Sequence, residues 1–237
     1  MELRMEALRA LCTADPRGKA ALARSLLDAA PQLPLSPTAP VPPGRLPGRP
    51  ERPRLVHPAR VPRRSPAKPE GLAALLHAIA HIEFNAINLA LDAVWRFEGM
   101  PEAFHRDWLR VAGEEAFHFT LLADHLQALG YAYGDFDAHD GLWAMCEKTA
   151  GDIVARMALV PRTLEARGLD ATPQIQARLR QAGTPAALKA VEILDVILRD
   201  EVGHVAIGNH WYRWLCAREG LDPVAHYPVL AQRYAAP

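Results

Sequence analysis

Asp200-Glu201-Val202-Gly203-His204 repeats a pattern met earlier as Glu114-Glu115-Ala116-Phe117-His118. Each stretch is an acid followed by Glu-x-x-His. On a helix, residues three apart share a face, so each motif turns one carboxylate and one imidazole toward a common point. Random order would place roughly 0.6 Glu-x-x-His in a chain of this composition, so helical period must support any such pair; three occur. The third, Glu102-x-x-His105, follows Pro101 and would lie about 20 Å along and about 220° around the same helix from Glu115. It cannot reach the same point, and it reads as a solvated first turn whose acid suits the helix dipole.

Helical texture runs outward from these motifs. The spacing predicts a first bundle helix over 71–98, stopped at Gly99, and a second from Pro101 to near Gly130. Glu83 stands 16 residues before Gly99 and Glu115 stands 16 after it, so an antiparallel hairpin sets the two carboxylates level. Residues 131–140 read as a loop crossing the bundle. A third helix is expected over 141–167, with Pro161 inside it and Gly168 ending it, and Thr172-Pro173 then opens a continuation to about 182. Thr184-Pro185 starts a fourth helix that runs to about Gly220. Glu165 and Glu201 each lie 18 residues from Gly183, so they too are level if the 173–182 segment prolongs the third helix. Phe117, Leu121, Leu122 and Leu129, and again Val191, Leu194, Ile197 and Leu198, recur at helical spacing. No segment alternates as a strand. The class is all-α, a four-helix bundle over 70–237 closed by a short helix at 222–234.

Ahead of the bundle, residues 1–30 read as two short helices (2–12 and 17–30) split by Asp15-Pro16. Residues 31–69 carry 13 prolines, which remove backbone donors and fix φ, so an extended arm is expected. The chain is neutral overall, yet residues 1–70 hold 13 Lys/Arg against 6 Asp/Glu, and the remainder 14 against 21. The basic arm (Arg45, Arg49, Arg52, Arg54, Arg60, Arg63, Arg64, Lys68) therefore reads as a strap on the acidic bundle, or as an element for nucleic acid or another anion. No apolar run reads as a bilayer span and the start is not a secretory signal. Cys12, Cys146 and Cys216 are odd in number and far apart, which suits reduced thiols in the cytoplasm.

Four buried carboxylates are costly unless a cation compensates them. Two divalent ions balance Glu83, Glu115, Glu165 and Glu201 while His118 and His204 stay neutral. Carboxylate with imidazole suits iron, with manganese or zinc as alternatives. Glu115 and Glu201 are placed to bridge, with Glu83 and Glu165 terminal. Glu114 and Asp200, each four residues before its own His, are candidates to orient the imidazoles, as is His81, which shares a helix face with His77. Gly113 and Gly203 lie mid-helix beside the motifs, either for close helix packing or to leave room for a small molecule such as dioxygen.

The ordered set Glu83, Glu115-Ala-Phe-His118, Glu165 and Glu201-Val-Gly-His204 resembles the ferritin-like di-iron carboxylate superfamily. The phrases His81-Ile-Glu-Phe84, Leu159-Val-Pro-Arg-Thr-Leu-Glu-Ala-Arg167 and Asp200-Glu-Val-Gly-His204 resemble a bacterial branch of unassigned function, over about 70–220. Glu165-Ala-Arg167 is also similar to the tRNA-modifying di-iron hydroxylases, although Gly203 stands where those commonly carry Arg. The resemblance implies two irons in a four-helix bundle, with dioxygen or peroxide chemistry. Expected partners are dioxygen, a small-molecule substrate and an external electron donor, with nucleic acid an option through the arm; no membrane is expected, and a homodimer is allowed. The leading reading is an oxidase or oxygenase of an organic substrate; iron oxidation and storage, and a structural metal site, are the alternatives.

Overall fold

The computed structural model describes residues 2–61 and 65–236, without the side chains of Leu164 and Glu165. Helices α1 (Leu3–Cys12) and α2 (Pro16–Ala29) are separated by Asp15, whose carboxylate accepts from the Gly18 N–H at 2.6 Å while Pro16 fills the first turn. α1 lies against α3 (Pro69–Arg96) and α2 against α4 (Glu102–Ala128), so both short helices are part of the core packing. Arg4 of α1 is buried, and its guanidinium donates to the carbonyls of Trp95 (3.0 Å) and Pro37 (2.8 Å).

α3 and α4 form the expected hairpin, turning at Gly99 with φ +71°. α3 is also long and apolar enough to cross a membrane, with a mean hydropathy of 1.3, contrary to the sequence expectation. Of that window, 78% is buried inside the protein, as in a core helix.

The expected third helix is divided. A short α5 (Gly141–Lys148) belongs to the crossover, and the bundle helix begins with α6 (Ile153–Leu159). It widens into a π-helical turn (Val160–Glu165) and continues as α7 (Ala166–Ala182), through both Gly168 and Pro173. Gly168 therefore does not end the helix, and Thr172-Pro173 does not restart it. Packing on α8 (Pro185–Glu219) overrides these local signals: Leu179 and Gln176 are buried, and the Gln176 amide donates to Asp195 Oδ1 at 2.7 Å. Pro161 accounts for the widened turn. It lacks the N–H that would bond the Met157 carbonyl, and the Thr163 hydroxyl donates back to the Ala158 carbonyl at 2.8 Å. α9 (Pro223–Arg233) closes over this turn, with Tyr227 Oη 2.9 Å from Thr163 Oγ1.

Within the described residues, the arm is a strap. The Trp95 indole N–H donates to the Pro40 carbonyl (2.8 Å), and the Gly48 N–H donates to the Leu11 carbonyl (2.9 Å). Leu55 and Ala138 form an isolated parallel bridge. Two arm cations meet bundle acids, Arg49 with Asp140 at 2.7 Å and Arg54 with Asp137 at 2.6 Å. Arg63 and Arg64 lie outside the described residues.

Lys19 anchors this strap from below. Its buried amine donates to the Gly48 carbonyl at 2.8 Å and to Asn88 Oδ1, over the Phe84 ring. Burial, reinforced by Arg49, lowers its pKa to about 7. In the unfolded chain lysine keeps its ordinary value near 10.4. Between those values the unfolded state binds the extra proton, so this contribution is full above about 10, is lost as pH falls toward about 7, and does not change further below it. Urea unfolding at several pH values checks this: the wild type should gain stability across that window, and Lys19→Met should gain much less. Equal slopes would place the effect elsewhere.

Candidate metal centre

α3, α4 and α8 bring five of the six expected ligands together. Glu83, Glu115, His118 and Glu201 each present one ligand atom, and these atoms all lie within 4.8 Å of one another. His204 joins them, with Nδ1 2.9 Å from Glu115 Oε1 and 3.7 Å from Glu201 Oε2. His118 Nδ1 is 3.5 Å from both Glu83 Oε2 and Glu115 Oε2. Glu115 therefore stands between the imidazoles, one oxygen toward each, which is the place of a bridging carboxylate.

None of these contacts is a hydrogen bond. Glu83 Oε2, both Glu115 oxygens, Glu201 Oε2 and both Nδ1 atoms are buried without a hydrogen-bond partner. Buried polar atoms are almost always satisfied, so six orphans converging on one point require an explanation. A cation explains all of them, because each is a lone-pair donor that a divalent ion accepts. Burial, then repulsion from Glu115, raises the Glu83 and Glu201 carboxyls. Burial also acts to raise Glu115, but His204 and His118 carry it well below the usual range. Burial opposes charge on the imidazoles, yet these carboxylates push His118 up to about 11, and His204 also upward.

The outer ring nitrogens are braced crosswise. His118 of α4 donates from Nε2 to Asp200 Oδ2 of α8 (3.1 Å), and His204 of α8 donates from Nε2 to Glu114 Oε2 of α4 (2.7 Å). Glu114 and Asp200 thus do orient imidazoles, but each serves the other helix's histidine. A carboxylate can only accept, so each Nε2 carries a proton, and Nδ1, which faces the cluster, would give a metal its lone pair in exchange for the proton that the carboxylates favour there. The crossing also ties α4 to α8 at the site.

His81 has a different task. Its Nε2 donates to the His139 carbonyl (3.1 Å), so Nδ1 accepts from the Tyr133 hydroxyl (2.8 Å). His77 Nε2 accepts from the Gly134 N–H at 2.9 Å. Both pin the crossover loop to α3, and His81 spends its ring nitrogens there rather than on the cluster. Glu102 is exposed as expected and pairs with Arg106, but His105 is buried, with Nδ1 donating to the Val94 carbonyl at 2.8 Å. The motif's spacing gives no sign of that neighbour on α3.

The Glu165 side chain lies outside the described residues. Its backbone ends the π-helical turn, and two contacts set where that turn runs. Arg156 Nη1 meets buried Asp92 Oδ2 at 2.6 Å, and Glu165 follows Arg156 by as many residues as Glu83 precedes Asp92. At the other contact, a Cβ on Gly208 would stand 2.6 Å from Pro161 Cβ. Gly208, one turn beyond His204, is the position that lets the turn close on α8. Gly113 likewise serves packing, since its Cβ would meet Leu27 Cδ2 of α2 at 2.5 Å. At Gly203 the nearest atom is the Arg110 guanidinium at 3.4 Å. Gly113 and Gly203 thus face neighbouring side chains, and neither opens a space for dioxygen. Gly208 was missed in the sequence; its cue was only a glycine one helical turn past a ligand.

The crossed bracing predicts that Asp200→Ala and Glu114→Ala each weaken metal binding about 10–100-fold with helix content unchanged, as measured by competition with a chelator and by circular dichroism. Losses under about twofold would show that the braces do not hold the imidazoles.

A protein of Haemophilus influenzae described as an uncharacterized protein is 54% identical over 239 residues, covering 95% of this chain and 81% of that one. No solved structure matches. The model of one family, described as a protein of unknown function (DUF455), matches residues 12–237, and the chain belongs to that family.

Proposed function

We propose that this chain is a ferritin-like di-iron carboxylate protein that activates dioxygen to oxidise or hydroxylate an organic substrate. The observation that carries the reading is the convergence of six buried, unpartnered lone-pair atoms from Glu83, Glu115, His118, Glu201 and His204. Glu165 completes the proposed set from the π-helical turn. Carboxylates with two imidazoles form a donor set suited to iron, and four carboxylates offset two divalent charges.

Two ferrous ions held here would supply the reducing equivalents for dioxygen activation. The chain's own residues do the rest. Glu115, with one oxygen toward each imidazole, would help to hold the ions, Asp200 and Glu114 brace the imidazoles, and burial of Glu83, Glu115, His118 and His204 keeps bulk water from the centre. An external electron donor would return the centre to its reduced form. Cys12, Cys146 and Cys216 form no disulfide among the described residues, which is consistent with a reducing, cytoplasmic setting.

Protein loaded with Fe(II) without oxygen and then exposed to air should consume dioxygen in proportion to its iron. The Glu115→Ala variant should consume far less. A hydroxylated or oxidised organic compound in reactions supplied with cell extract separates this reading from iron storage, in which ferric iron is the sole product. Loaded protein that stays ferrous in air would refute the reading.

A further inference from the structure

Helix α3 buries 21 of its 28 residues. Away from its two ends, the uncovered ones are Ala74, Leu75, Ala78 and Ile82, which form a single apolar stripe. The stripe runs about 12 Å along the helix. Ile82 is 51% exposed and directly precedes Glu83. Leaving such a line open on the most apolar helix of the protein costs burial that α3 otherwise takes everywhere.

Ala74, Leu75 and Ala78 form one wall of a cavity of about 620 Å³, and Val61, Phe136 and Arg178 contribute the facing walls from the arm, the crossover loop and α7. That volume falls within the range of small-molecule sites. Two acids also line it, but both are engaged: Asp137 pairs with Arg54 at 2.6 Å, and Asp135 accepts from the Ala132 N–H at 2.7 Å. Arg178 makes no hydrogen bond or ion pair among the described residues. α6–α7 runs antiparallel to α3, since Arg156 meets Asp92 at one end and Arg178 shares the cavity with Ala74 at the other. The free guanidinium is thus at the end of the stripe remote from Glu83.

We propose that the cavity and stripe bind an amphipathic carboxylic acid. Its carboxylate sits on Arg178, its apolar chain lies along Leu75 and Ala78, and its far end reaches Ile82 on the outer face of α3.

Isothermal titration of the full chain, as purified and after chelation, tests the site apart from the metal. The probes are butyrate, octanoate and decanoate, with decanol and adenosine monophosphate for comparison. Affinity should rise at least about tenfold from butyrate to decanoate. Arg178→Glu should weaken decanoate about tenfold and leave decanol unchanged, whereas Ile82→Lys should weaken decanoate and spare butyrate. Both substitutions are at exposed positions, and circular dichroism verifies the fold. Absence of saturable decanoate binding overturns the proposal, as does binding that neither substitution alters. Tighter binding of the nucleotide than of decanoate would assign the cavity to a different ligand. Decanoate binding that persists after chelation, in a protein that consumes no dioxygen, would keep the site and sink only the oxidase reading.

Discussion

Carboxylates taken out of water must be compensated, and this requirement governs the centre of the protein. Glu83 and Glu115 are buried, and Glu201 nearly so, within one small volume. Leaving such charges uncompensated costs several kcal/mol each even after relaxation. Protonated imidazoles offset part of that charge, yet their inner nitrogens, like the carboxylate oxygens, have no aligned hydrogen bond. The compensation we propose is a cation coordinated by these atoms.

Much of the surrounding structure keeps those atoms in place. The crossed pairs His118–Asp200 and His204–Glu114 aim both rings and lock α4 against α8. Arg156, braced by Thr149 and by the Cys146 carbonyl, fixes α6 against Asp92 of α3. Gly208 lets Pro161 seat the π-helical turn on α8. The N-terminal helices cover the outer faces of α3 and α4, and the strap ties them to the crossover loop. A metal centre of the kind proposed would need such support, because small displacements of its ligands forfeit pre-organisation.

The clustering of Glu83, Glu115, His118, Glu201 and His204 was legible in the sequence because a spacing of three maps directly onto one helix face, and Gly99 fixes the height of Glu83 against Glu115. The crossing of the acids was not legible. Residues 114 and 200 lie near their own histidines in sequence, but whether each turns inward or across depends on the rotation of α4 against α8, which local spacing does not encode. The break in the third helix was half visible: Pro161 announced a disturbance, whereas continuation through Gly168 and Pro173 depends on burial against α8. His81 looks like a site residue until its backbone partner His139 comes into view, and His105, read as part of a solvated turn, is instead buried on the Val94 carbonyl. The open stripe on α3 was hidden for the opposite reason, because nearly every position of that helix is apolar.

The central claim is that the cluster holds two metal ions. Elemental analysis of protein loaded with Fe(II) without oxygen and freed of excess metal tests it most directly. The account predicts two equivalents of iron per chain, with loss of most of it in Glu115→Ala, the carboxylate between the imidazoles. Less than one equivalent in the wild type, or the same content in Glu115→Ala, would contradict it.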